Sequence, residues 1–103
     1  MSIYCVGEGY TREKVFEVLQ RAGFEPSRSN LSDYVRPGEE PKNEIGASFL
    51  QRGRDLALVQ FSGPVVSDVV QNREKSPHYQ TIKGLVAFLE PEQVIDDLSR
   101  PVF

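Results

Sequence analysis

Residues 2–24 read SIYCVGEGYTREKVFEVLQRAGF, and the fold class implied by the sequence is decided there. Ile3, Tyr4, Cys5 and Val6 form a short, nearly continuous apolar run. That pattern suits a strand covered on both faces, as in a parallel sheet. Gly7-Glu8-Gly9 breaks the run, since glycine allows backbone angles that other residues resist. Thr11 can accept a bond from a free amide of the following turn and so serves as an N-cap. Glu13 falls in the first turn, where the helix dipole favours an anion. Val15, Phe16, Leu19 and Ala22 recur at helical spacing, with Glu17 and Arg21 paired outside at i,i+4. Gly23 is the expected residue just past the helix end, and Phe24 beyond it can fold back on Leu19. Strand, glycine loop and helix in this order make the first half of a β-α-β crossover.

The rest of the chain reads as the completion of that unit. Pro26 lacks the amide a central strand needs, so a strand at Glu25-Pro26 lies at a sheet edge. Residues 27–43 are polar and interrupted by Pro37-Gly38 and Pro41, which reads as a long surface loop with one short piece of structure around residues 31–35. Asn43 can cap a short helix that carries Ile45 and Phe49 and ends at Gly53. Residues 55–61, DLALVQF, read as a buried strand. Ser62-Gly63-Pro64 turns it into a helix, because proline fits the first helical position, and Val65, Val66, Val69 and Val70 share one face. Residues 71–83 read as a second polar connection, residues 84–89 as the last strand, and residues 90–98 as a final acidic helix. The outcome is one α/β domain spanning residues 1–103. It is a small three-layer domain with a mostly parallel sheet of about four strands, order 2-1-3-4, and helices on both faces. An antiparallel edge strand is the main alternative.

Bulk properties bound the function. A chain of 103 residues with six phenylalanines and four tyrosines can bury roughly two-thirds of its unfolded surface and fold without staples. Cys5 is the one cysteine, so no intramolecular disulfide and no multi-cysteine metal site exists within a chain, and a reducing cytoplasm is the expected compartment. No basic start followed by an apolar stretch suggests a signal peptide, and no apolar run is long enough to span a bilayer. The net charge of −3 argues against a dedicated nucleic-acid binder, which carries a basic stripe.

Two constellations stand out. At the switch point of an open parallel sheet, Gly7, Glu8, Gly9, Tyr10, Thr11 and Arg12 would lie beside Ser62 and Gly63. Both loops lead into helix N-termini, whose amides favour a phosphate or carboxylate. Glu8 opposes an anion there unless it points away. Arg12 stands where the third glycine of the dinucleotide fingerprint belongs, and there is no Walker lysine. The run from Val6 to Glu17 resembles the opening of toprim domains, where a glutamate-glycine pair follows the first strand. Ser62-Gly63 stands where those domains carry paired aspartates, so the resemblance does not imply metal-dependent chemistry. The second constellation is Glu90, Glu92, Asp96 and Asp97 on the final helix, by default a solvated acidic face and, as the sharper alternative, a docking surface for a basic partner. Cys5 lies inside a strand and His78 in a polar segment, so no catalytic residue, metal ligand or cofactor is assigned.

Two functions from different classes follow. The first is a small acidic cytosolic interaction module that regulates or inhibits a protein partner, in the manner of antitoxins, immunity proteins or phage inhibitors. The second is a binder or enzyme of a phosphorylated small molecule or nucleotide at residues 7–12 and 62–64.

Overall fold

The computed structural model describes residues 1–27, 32–38, 43–52 and 56–96. Its elements are β1 (Ile3–Val6), α1 (Arg12–Arg21), β2 (Glu25–Pro26), β3 (Tyr34–Arg36), β4 (Ile45–Arg52), β5 (Leu56–Ser62), α2 (Pro64–Asn72), a 3-10 turn at Arg73–Lys75, α3 (Tyr79–Leu89) and β6 (Gln93–Asp96). The strands form one sheet in the order β2-β3-β4-β5-β1-β6, and every neighbouring pair is antiparallel.

The opening unit folds as its residues dictate. The Thr11 side chain accepts from the Lys14 amide at 3.1 Å, and Arg21 donates to Glu17 at 2.7 Å. The Gly23 amide donates to the Gln20 carbonyl and the Phe24 amide to that of Leu19, the paired bonds of a Schellman end. Gly23 has φ +94, which a side chain would strain. β2, with Pro26, is an edge strand.

The parallel three-layer expectation is overturned by the antiparallel ladder, and one element accounts for most of the error. Read as a helix, residues 43–53 make a crossover between two strands, and a crossover implies a parallel pair. Residues 45–52 instead form β4, which pairs with β5 from Gly46 opposite Ser62 to Arg52 opposite Leu56. Ile45 and Phe49 share a face at spacing four in a helix and also in a strand, so periodicity alone did not separate the two. Ala47, buried with them, is the period-two signal.

The C-terminal third inverts for a related reason. Ile82, Leu85, Val86 and Leu89 are the buried stripe of α3, at i, i+3, i+4 and i+7. Reading residues 84–89 as a strand and residues 71–83 as a connection cut that stripe in two. The expected acidic helix at 90–98 is instead strand β6 over Gln93–Asp96, paired with β1. Residues 97 and 98 lie outside the described residues. Within the expected loop 27–43, Tyr34–Arg36 is a strand, and residues 28–31 and 39–42 lie outside the described residues.

All helices pack on one face, so the domain has two layers. Ile3 and Cys5 of β1, Ile45, Ala47 and Phe49 of β4, and Ala57, Val59 and Phe61 of β5 join the buried side chains of α1, α2 and α3 in one core. Among the described residues, the helices cover one side of the sheet, and alternate strand residues face the other. Val65, Val66, Val69 and Val70 are all buried. At about 1.5–2 kcal/mol for each buried valine, this packing outweighs the few tenths by which β-branching disfavours a helix.

Asp96 is 1% exposed, and its carboxylate meets the Arg73 guanidinium at 3.0 Å. The pair ties the turn after α2 to the edge strand β6. Among the described residues, no helix is long and apolar enough to cross a membrane.

Candidate functional site

The site begins with a glycine. A Cβ on Gly7 would lie 2.5 Å from Cζ of Tyr10, so the absence of a side chain is what lets the Tyr10 ring lie against the loop backbone. Held there, the Tyr10 hydroxyl donates to the Leu89 carbonyl at 2.8 Å, across 79 residues of sequence. Beside it the Glu92 amide donates to the Val6 carbonyl at 2.8 Å. Glu90, the C-cap of α3, turns the chain with φ +47. Two bonds and one left-handed residue thus lock the β1–α1 loop to the α3–β6 turn.

Between these segments a groove of about 400 Å³ opens along α1 and α3. Val15 and Val18 of α1 and Leu89 of α3 supply its apolar wall, with Tyr10 at one end. Phe88 forms the lip and is 59% exposed, while the large hydrophobics of the core are buried. The charged groups on the lining are Glu8, Lys14 and Glu90. The Tyr10 phenol has its pKa raised, chiefly by burial, further by coupling to the nearby Cys5 thiol, and by the carboxylates of Glu90 and Glu92. On the groove lining two carboxylates, Glu8 and Glu90, outnumber the one ammonium of Lys14. On the far side of Phe88, a shallow saddle runs over Gly84 and Ala87, and a Cβ on Gly84 would meet nothing within 4 Å.

The two sets of sequence-predicted residues are redistributed. Glu8 and Tyr10 from the glycine loop and Glu90 from the acidic set come together at the groove. Thr11 is occupied in capping α1. Arg12 turns away, 5.2 Å above the Phe49 ring and 3.9 Å from Asp33. Gly9 is exposed with φ +75.

Ser62 and Gly63 do not join this group. Antiparallel pairing sets Val6 opposite Leu58 and Ile3 opposite Phe61. Gly7 and Ser62 therefore sit at opposite ends of the ladder, about 17 Å apart at about 3.4 Å per residue. Gly63 instead caps α2 and passes close to the Glu44 carbonyl. The convergence of two helix N-termini belonged to the parallel topology and goes with it.

Asp96 is buried against Arg73 and does not belong to an exposed acidic face. Asp97 lies outside the described residues. His78 heads α3 and lines a second cleft with Arg36, Asn43 and Thr81. Cys5 is fully buried, and burial pushes its thiol pKa up to about 12, which makes it a poor nucleophile near neutral pH.

Phe88 is the residue that sequence reasoning missed, because residues 84–89 read as a buried strand. The signal existed: Phe88 falls outside the 82-85-86-89 stripe, so a helix over those residues leaves an aromatic ring uncovered. No protein-family model, curated protein or solved structure matches this chain, so the functional reading rests on these residues alone.

Proposed function

We propose that the chain is a protein-interaction module that regulates or inhibits a partner by holding a basic, amphipathic segment of it in the α1–α3 groove. The observation that carries this reading is the exposed Phe88 at the lip of an apolar groove whose charged groups are mostly carboxylates. Val15, Val18, Leu89 and Phe88 would take the apolar side of a helix or strap. Glu8, Glu90 and Glu92 would face its lysines or arginines, and the saddle over Gly84 and Ala87 would let its backbone approach closely. The net charge of −3 favours encounter with a basic partner. The same carboxylates disfavour a phosphorylated ligand at the Tyr10 loop.

The test is selection of binding segments from a random peptide library displayed on phage, followed by titration against variants. The selected segments should combine large apolar residues with lysine or arginine. Phe88→Ala should weaken them about tenfold or more, since a buried phenylalanine contributes about 2 kcal/mol. Glu90→Lys should weaken them further at low salt than at high salt. Selected peptides that lack basic residues, or that bind Phe88→Ala as tightly as the wild type, would refute the reading.

A further inference from the structure

A second cleft lies at the far end of α3 from Phe88, and its chemistry is the reverse of the first. It has a volume of about 460 Å³ and opens between the β3–β4 connection and the starts of α2 and α3. Ile45 of β4 and Val65 of α2, both 4% exposed, form its floor. Arg36, Asn43, His78 and Thr81 supply its polar wall. Among the described residues, none of those lining it carries a carboxylate, whereas the α1–α3 groove carries two.

The local fold sets each polar group in place. Arg36 stands opposite Ile45 in the β3–β4 ladder, so its side chain leaves the sheet on the helical side. Its Cγ, Cδ and Nε lie 3.6–4.0 Å from where a Cβ on Gly23 would stand, so its stem crosses the end of α1. A Cβ on Gly38 would fall 2.5 Å from Cβ of Asn43, and the bare glycine is what lets Asn43 close against it. The Ser76 hydroxyl accepts from the His78 amide at 3.1 Å, which fixes His78 at the head of α3. Thr81, three residues on, falls on the same side of that helix.

These groups are also uncommitted. Among the described residues, no hydrogen bond or ion pair engages the Arg36 guanidinium, the Asn43 amide, the His78 imidazole or the Thr81 hydroxyl. Asp68 interacts electrostatically with His78, but its carboxylate already accepts from Ser76 and from Asn72, and it lies off the lining.

We propose that this cleft binds the phosphate group of a small phosphorylated molecule. A guanidinium offers a fork of N–H donors that fits phosphate oxygens in pairs. The amide, imidazole and hydroxyl add donors on the other sides, and a set of four suits the three terminal oxygens of a phosphate ester better than the two of a carboxylate. Ile45 and Val65 give the rest of the ligand an apolar floor, as in other small-molecule sites. The dipoles of α2 and α3, which both begin here, add potential of the same sign.

The experiment follows the ring protons of His78 by NMR while inorganic phosphate is added to the full chain at fixed pH and ionic strength. His78 is the one histidine, so its signals identify themselves. They should move saturably, with a dissociation constant on the order of 1–10 mM. Arg36→Gln should weaken binding about tenfold or more, because a hydrogen bond between charged groups is lost. Thr81→Val, at an exposed position, should weaken it about fivefold, with circular dichroism showing both variants folded. Phe88→Ala, about 15 Å away along α3, should bind phosphate like the wild type. Signals that do not saturate by roughly 50 mM phosphate overturn the proposal. Unchanged binding in both Arg36→Gln and Thr81→Val also overturns it, because the anion then sits elsewhere. Acetate that binds as tightly as phosphate overturns the choice of phosphate and makes the cleft a carboxylate site.

Discussion

Arg73→Met is the substitution that tests the fold most directly. Asp96 reaches the interior from the edge strand β6 with its side chain fully buried, and the Arg73 guanidinium, itself 26% exposed, meets it at 3.0 Å. Methionine keeps the apolar stem and removes the charge. It also keeps the backbone comparable, since Arg73 holds φ +55 and neither side chain relieves that strain. Removing one member of a buried pair costs about 3–5 kcal/mol. Because a quarter of Arg73 faces water and Asp96 keeps a further interaction, the lower end, about 3 kcal/mol, applies here. Against a total stability of about 5–15 kcal/mol for a domain, that is a large share. The assay is urea unfolding followed by circular dichroism, where about 3 kcal/mol moves the midpoint down by roughly 1–3 M. The double variant Arg73→Met with Asp96→Leu should recover most of the loss, because an apolar pair replaces an ionic one without leaving a buried charge. A loss below about 1 kcal/mol for Arg73→Met, or a double variant no more stable than the single one, would refute a buried Asp96.

Two further predictions concern the glycine loop and the buried thiol. Gly7→Ala should expel the Tyr10 ring, whose Cζ lies 2.5 Å from the added carbon, and lower stability by about 2–3 kcal/mol through overpacking and the lost bond to Leu89. Tyr10→Phe, which removes only the hydroxyl, should lower it by about 1 kcal/mol; thermal melts of the two variants would contradict the packing if Gly7→Ala were the milder. For Cys5, the folded pKa is raised to about 12 by burial, above the unfolded value near 9, so the folded state retains the proton that the unfolded state gives up. Its contribution is fully present below about pH 9 and is lost as pH rises through the folded value, at about 1.4 kcal/mol per pH unit. Between about pH 9 and about pH 10, before unfolded tyrosines ionise, the wild type should therefore lose stability faster than Cys5→Ala; equal slopes in urea titrations would rule the thiol out.

The local units were legible in the sequence because short-range chemistry specifies them. Thr11, Glu13 and Gly23 bound α1 from their own positions, and Pro64 with the four valines marks α2. The apolar run ending at Phe61 marks β5, and Pro26 confines β2 to an edge. What neighbouring residues could not settle is an element whose pattern satisfies two periods. Ile45 and Phe49 share a face in a helix and in a strand, and only the seat of Ala47 against Phe61 on the neighbouring strand decides between them. That one element sets whether the sheet is parallel or antiparallel, and with it which loops meet. Ser62 and Gly63 are at the wrong end of an antiparallel ladder to join Gly7, whereas Glu8, Tyr10 and Glu90 converge through a hydrogen bond spanning 79 residues. Asp96 likewise reads as a solvated acid until β6 is placed beside β1, where its side chain points inward. Caps, stops and stripes are properties of consecutive residues, so the sequence alone determined them. The strand order and the groove at Phe88 depend on contacts between distant segments, which only the tertiary structure decided.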